Sequence, residues 1–174
     1  IITVPNQTLR TPVKPVAVID KKIKKIVKDM AETLVKLKDP LGVGLAAPQV
    51  GLNLALFVFK NAKKISTVIN PKLLGHSADE VLDVRNKHSM MEGCLSIPLY
   101  YGTVKRFSSV TISYQDENGL TREEKFKMPE AVIIQHEMDH LEGKLFIDKL
   151  LLQKGKLYKV EKHKDKEELA EVEI

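Results

Sequence analysis

Gln135-His136-Glu137-Met138-Asp139-His140-Leu141 is the stretch from which the rest of the chain can be read. On a helix, side chains four residues apart stack along one face, so His136 and His140 stand one turn apart and can grip one metal ion. Glu137 lies about 100° round the helix from His136, near enough to reach a water at the ion without ligating it, as a general base must. The bland alternative is a polar pair on a solvated face. The flanks argue against it. Pro129 can open a helix at its first turn, where a missing N–H costs nothing, and Gly143 can end it in a left-handed conformation. Between them stand Ala131, Val132, Ile133, Ile134, Met138 and Leu141. A helix apolar nearly all round is buried, and buried histidines need partners.

Working outward, 174 residues with 43% hydrophobic and 29% charged suit one soluble globular domain, too apolar for disorder. No stretch approaches the ~20 apolar residues of a membrane span, and the N-terminus lacks a signal-peptide pattern. A cytoplasmic protein is expected, bacterial or organellar after removal of a transit peptide. One cysteine, Cys94, excludes an internal disulfide and suits a reducing compartment. The net charge of +5 does not announce a nucleic-acid protein, because the lysines are interleaved with acids and no aromatic or arginine-rich platform accompanies them.

Before the metal-motif stretch, Pro5, Pro12 and Pro15 mark an extended arm. Ile23, Ile26, Val27, Met30, Leu34 and Leu37 then recur at helical spacing, with Asp20 as N-cap and Asp39-Pro40 as stop. Lys21, Lys22, Lys24 and Lys25 read as its solvated face. Gly42-Val43-Gly44-Leu45-Ala46-Ala47-Pro48-Gln49 is a run of small residues suited to close approach by a substrate or metal, with Gln49 offering an amide donor. No Lys-Ser/Thr follows, which argues against a phosphate loop. Strands are expected at Leu54 to Phe59, at Ser66 to Asn70 where Pro71 closes it, around Val81, Leu82 and Val84, and in the alternation of Val110, Ile112 and Tyr114. Asp116-Glu117-Asn118-Gly119 supplies a turn, and Leu120 to Lys127 returns as the partner strand. His76 and His88 read as surface histidines. Beyond Leu150 the tail is ambiguous between helix and strand, with Leu157 to Val160 and Leu169 to Ile174 as candidate strands. The class is α+β: short antiparallel β-sheets around a buried helix carrying His136 and His140, with an amphipathic N-terminal helix.

Three motifs, Gly42-x-Gly44-x-Ala46-Ala47-x-Gln49, Glu92-Gly93-Cys94-Leu95-Ser96 and Gln135-His136-Glu137-x-x-His140, occur in the order seen in peptide deformylases, and the chain resembles that family from its Pro-rich arm to about Leu150. The resemblance implies a metal held by Cys94, His136 and His140, ferrous iron natively, with zinc or nickel as substitutes. It implies removal of the formyl group from the N-terminal formyl-methionine of nascent polypeptides, with Glu137 as base and Gln49 and the Leu95 N–H as oxyanion donors. Val43 and Gly44 are expected to pair with the peptide, while Glu92, Gly93, Tyr101, Val132 and Ile133 shape the methionine pocket. A monomer is expected, binding neither membrane nor a specific nucleic-acid sequence. The tail, 151–174, is treated as a variable end of the one domain; it lacks the continuous basic helix that some bacterial members use at the ribosome, so ribosome contact stays open.

Other classes remain in view. A zincin-type peptidase shares His-Glu-x-x-His but needs a downstream third ligand, for which only His163 is available, in a polar setting. A thiol hydrolase would pair Cys94 with a histidine as nucleophile and base. A non-catalytic metal-binding module at the ribosome would leave Glu137 without a role.

Overall fold

The structure, a computed structural model, describes residues 1–37, 42–61, 64–82, 91–163 and 166–174. Asp39, Pro40, Val84 and His88 lie outside the described residues.

Helix α1 (Lys21–Lys36) buries Ile23, Val27, Met30 and Leu34, the positions that share one face, and leaves Lys21, Lys22, Lys24 and Lys25 exposed. Asp20 caps it by accepting from the Ile23 N–H at 2.9 Å. Three strands follow: β1 (Gly44–Ala46), β2 (Leu56–Lys60) and β3 (Ile65–His76). Next come β4 (Glu80–Leu82), β5 (Glu92–Cys94), β6 (Ile97–Gly102) and β7 (Lys105–Phe107). The long hairpin β8 (Ser109–Gln115) and β9 (Thr121–Lys127) leads into α2 (Glu130–Leu141) and α3 (Phe146–Leu152). The chain closes with β10 (Leu157–His163) and β11 (Lys166–Val172). The architecture is α+β with antiparallel sheets.

A five-stranded sheet in the order β1-β2-β3-β8-β9 lies between α1 and α2. Strand β2 shows why Leu-Phe-Val-Phe is apolar throughout. Leu56 and Val58 pack with Ile23, Val27 and Leu34 of α1, whereas Phe57 and Phe59 pack with Ile133 and Ile134 of α2. A strand covered on both faces has no solvent side to mark with polar residues. Strand β8 buries Val110, Ile112 and Tyr114 and half-exposes the residues between them, as its alternation requires. A second sheet, in the order β11-β10-β6-β5, packs Cys94 and Ile97 with Leu145, Phe146 and Leu150, the last two from α3. Strands β4 and β7 form a separate pair.

One expectation changes and one ambiguity resolves. Pro71 does not close β3, which runs on to His76. The pairing of β3 with β8 skips between Ile69 and Lys72, so the proline that cannot donate falls where no ladder bond is needed. Asn70 takes φ 53° there, held by its side chain to Val16 and Gln115. The tail is a β-hairpin whose first strand joins β6, while α3, too short to show a periodic face, went unforeseen. No described helix is long and apolar enough to cross a membrane.

Candidate functional site

Helix α2 follows Pro129, and Gly143 takes φ 72° just past its end. Its burial on nearly every side, from Ala131 through Glu137, carries His136 and His140 into the interior beside β5. Cys94 stands at the end of β5. Its Sγ and one ring nitrogen each from His136 and His140 lie within 4.8 Å of one another. Cys94 Sγ is 3.2 Å from His140 Nε2, and the two imidazoles meet edge to face, centroids 5.0 Å apart. One thiolate and two imidazoles converge at ligand spacing, with Nε2 of His140 on the side of Cys94. A three-ligand set of this kind fits a catalytic metal with an open position.

Glu92, expected in the pocket wall, is bonded to His136 and Arg106. Its carboxylate is 1% exposed and lies 2.6 Å from His136 Nδ1, which leaves Nε2 of that ring for an ion. The same carboxylate accepts from Arg106 Nε at 3.0 Å and Nη2 at 2.7 Å, while Arg106 Nη1 reaches Asp139 at 2.5 Å. Burial alone would raise the Glu92 carboxyl, but the charges of Arg106 and His136 outweigh it and hold the group well below the usual carboxylate range. Burial likewise opposes charge on His136, yet Glu92 keeps its imidazole well above the ordinary value. His140, desolvated and beside His136, is pushed well below it. Sequence reasoning missed Arg106. The available signal was its place two residues after the buried Val104, on the inward side of an alternating stretch.

Gln49, in the 3₁₀ turn Ala47–Val50, is 1% exposed and points its Nε2 toward Cys94. Leu95 follows Cys94 in the turn to β6 and is half-buried. Glu137 is buried against Gly44, where a Cβ would fall within 2.7 Å of the Glu137 carboxyl carbon. Val43, expected to pair with the peptide, has its carbonyl engaged by Lys60 N–H at 2.8 Å. Since backbone direction alternates along a strand, Gly44 instead faces the open edge of β1, the edge strand of its sheet. The Tyr101 ring lies over Gly93, and Val132 and Ile133 are buried, Ile133 in the cluster between α2 and the sheet.

A Cys-His-His set with a buried glutamate beside it, in an α+β frame, has the makeup of a mononuclear metallohydrolase. The chain belongs to the polypeptide deformylase family, whose model matches residues 1–156. That family comprises metal-dependent hydrolases that take the formyl group from new polypeptides. The chain is 38% identical to the peptide deformylase of Desulfotalea psychrophila over 163 residues, 91% of each chain. It is 39% identical to peptide deformylase 1 of Vibrio vulnificus over 170 residues, 94% of each. The structure is similar to that of the Synechococcus elongatus enzyme in complex with actinonin, with a TM-score of 0.77 and 38% identity over 85% of this chain and 76% of that one.

Proposed function

We propose that the chain hydrolyses the formyl amide at the N-terminal formyl-methionine of nascent polypeptides, with Cys94, His136 and His140 holding one divalent ion. Thiolate and imidazole suit iron, zinc or nickel, and ferrous iron is the native ion we assign. Held there, such an ion would supply Lewis-acid chemistry, lowering the pKa of water toward neutrality. Glu137 Oε takes the water proton and returns it to the leaving nitrogen. Gln49 Nε2 and the Leu95 N–H donate to the oxygen on which charge develops. The peptide runs along the open edge of β1, paired with the Gly44 backbone, while Gly93, Tyr101, Val132 and Ile133 shape the methionine pocket. Glu92 supports His136 from behind.

The observation that carries this assignment is the convergence of Cys94, His136 and His140, with Glu137 buried on the same helix. The pairing of β10 with β6 supports treating residues 1–174 as one domain, with the tail built into it. The assignment extends to a monomer, and to a reducing compartment, the cytoplasm or an organelle, with which the lone thiol of Cys94 is consistent.

The test is formate release from formyl-Met-Ala-Ser, with metal content measured in each preparation. Iron-loaded wild type releases formate, and Glu137→Ala keeps its metal but loses roughly 10²–10⁴ in rate. An iron-loaded wild type that releases no formate refutes the function. Cleavage of an internal bond in an unformylated peptide would favour a zincin-type peptidase, and activity that survives removal of the metal would favour a Cys94 nucleophile.

A further inference from the structure

Gln49 is gripped at both ends of its carboxamide. Ala46 N–H donates to Gln49 Oε1 at 2.8 Å. A backbone N–H can only donate, so this bond fixes which way the amide faces and turns Nε2, with its two hydrogens, toward Ser96 and Cys94. Ser96 Oγ lies 3.3 Å from Nε2 and Cys94 Sγ lies 3.6 Å from it. The hydroxyl accepts one amide hydrogen, and the larger sulfur, at an ordinary N–H···S distance, accepts the other. One amide hydrogen is therefore committed to Ser96, and the other is directed at Cys94, beside the metal-ligand set.

Ser96 has 0% exposure and is itself fixed from behind. Its carbonyl accepts from Val4 N–H at 3.0 Å, and the Gln49 carbonyl accepts from Ile2 N–H at 2.8 Å. The N-terminal strap Ile2–Val4 thus ties together the backbones of the two residues whose side chains meet. Ile2 also packs against the cluster that contains Cys94. Ile2, Gln49, Ser96 and Val4 form a closed ring of hydrogen bonds: N–H to carbonyl, amide to hydroxyl, carbonyl to N–H.

The geometry points to Ser96, backed by the strap Ile2–Val4, as a positioning residue for Gln49: it consumes one amide hydrogen so that the second is aimed at the formyl oxygen beside Cys94. This rests on the assignment of Gln49 as an oxyanion donor. Transition-state donors act only when preorganised, and a small displacement of such a group is costly in rate while ground-state binding changes little. Ser96 touches no reacting atom in this scheme and acts only through Gln49.

The experiment is a double-mutant cycle on the metal-loaded enzyme, using Ser96→Ala, Gln49→Leu and both together, with formyl-Met-Ala-Ser as substrate. Ser96→Ala removes one buried hydroxyl and almost no volume. It is expected to lower kcat about tenfold or more, with KM within about twofold and metal content unchanged. In the Gln49→Leu background the same change is expected to cost less than about twofold, because the amide it aims is gone. Ile2→Pro, which deletes one strap donor at a partly exposed site, is expected to lower kcat in the same Gln49-dependent way and keeps the test open if Ser96→Ala does not fold. The proposal is overturned if Ser96→Ala keeps wild-type kcat, or if it loses the same factor with and without the Gln49 amide, as a merely structural serine would. Wild-type kcat in Gln49→Leu would instead bring down the oxyanion assignment beneath it.

Discussion

Glu92 Oε1 and His136 Nδ1 lie 2.6 Å apart, and the guanidinium of Arg106 fixes that carboxylate from the other side with two further hydrogen bonds. One buried arginine thereby links the strand that carries Cys94 to the helix that carries both histidines, since it also holds Asp139.

Removing this support is expected to loosen the ion. Glu92→Gln leaves His136 without its charged partner and should weaken metal binding roughly 10- to 100-fold, read by competition with a chromogenic chelator. Arg106→Met strands a carboxylate in the interior and should cost on the order of 3–5 kcal/mol of stability by urea unfolding. Unchanged retention in a folded Glu92→Gln protein would separate Glu92 from the centre.

Acid should expose the same group. Its folded pKa lies below the ordinary 4.5, so the stability it contributes is fully present above that value and is lost as pH falls toward the folded one. Metal-free wild type is therefore expected to lose urea resistance below pH 4.5 more steeply than metal-free Glu92→Gln. Parallel curves would contradict the assignment. Metal-free protein is used because ligand protonation would otherwise contribute.

Gly44 is a steric matter. A methyl group there would occupy the space of the Glu137 carboxylate, so Gly44→Ala must displace the base or the strand. The expected result is a loss of about 10²-fold or more in kcat with metal content retained. Wild-type turnover would mean that Glu137 need not sit where it does.

The tail hairpin is expected to matter although the family match stops at residue 156. Strand β10 pairs with β6, which pairs with the Cys94 strand, and Leu157 packs against the cluster around Phe146. Deleting 157–174 bares the β6 edge and uncovers that cluster. With about 2 kcal/mol for the lost apolar burial, Tm should fall by roughly 4–8 °C. An unchanged Tm would make the hairpin dispensable.

Much of this was written in local patterns. Ile23, Val27, Met30 and Leu34 name the buried face of α1, and Val110, Ile112 and Tyr114 that of β8, because period alone decides which side chains share a face. The grouping of Cys94 with His136 and His140 was legible only as three motifs taken together. Period does not say which charges meet across the interior, and so Arg106 was missed and the bonds of Glu92 to His136 and Arg106 went unread. Nor does it give register: Pro71 looked like a strand end because the skipped pairing that accommodates it belongs to β3 and β8 jointly. The engaged carbonyl of Val43 was hidden for the same reason, since only the pairing of β1 with β2 decides which backbone groups already have a partner.

Cys94 and His140 are 46 residues apart in the chain, on a strand and a helix that touch only once folded. An ion that needs both binds the folded chain and ignores the unfolded one, which at a hundredfold excess over Kd adds about 2.7 kcal/mol to folding. During synthesis the thiol leaves the ribosome well before the second histidine, so a chain stalled short of α2 lacks the means to hold its ion. For such an ion, closing the fold and assembling its ligand set would be one event.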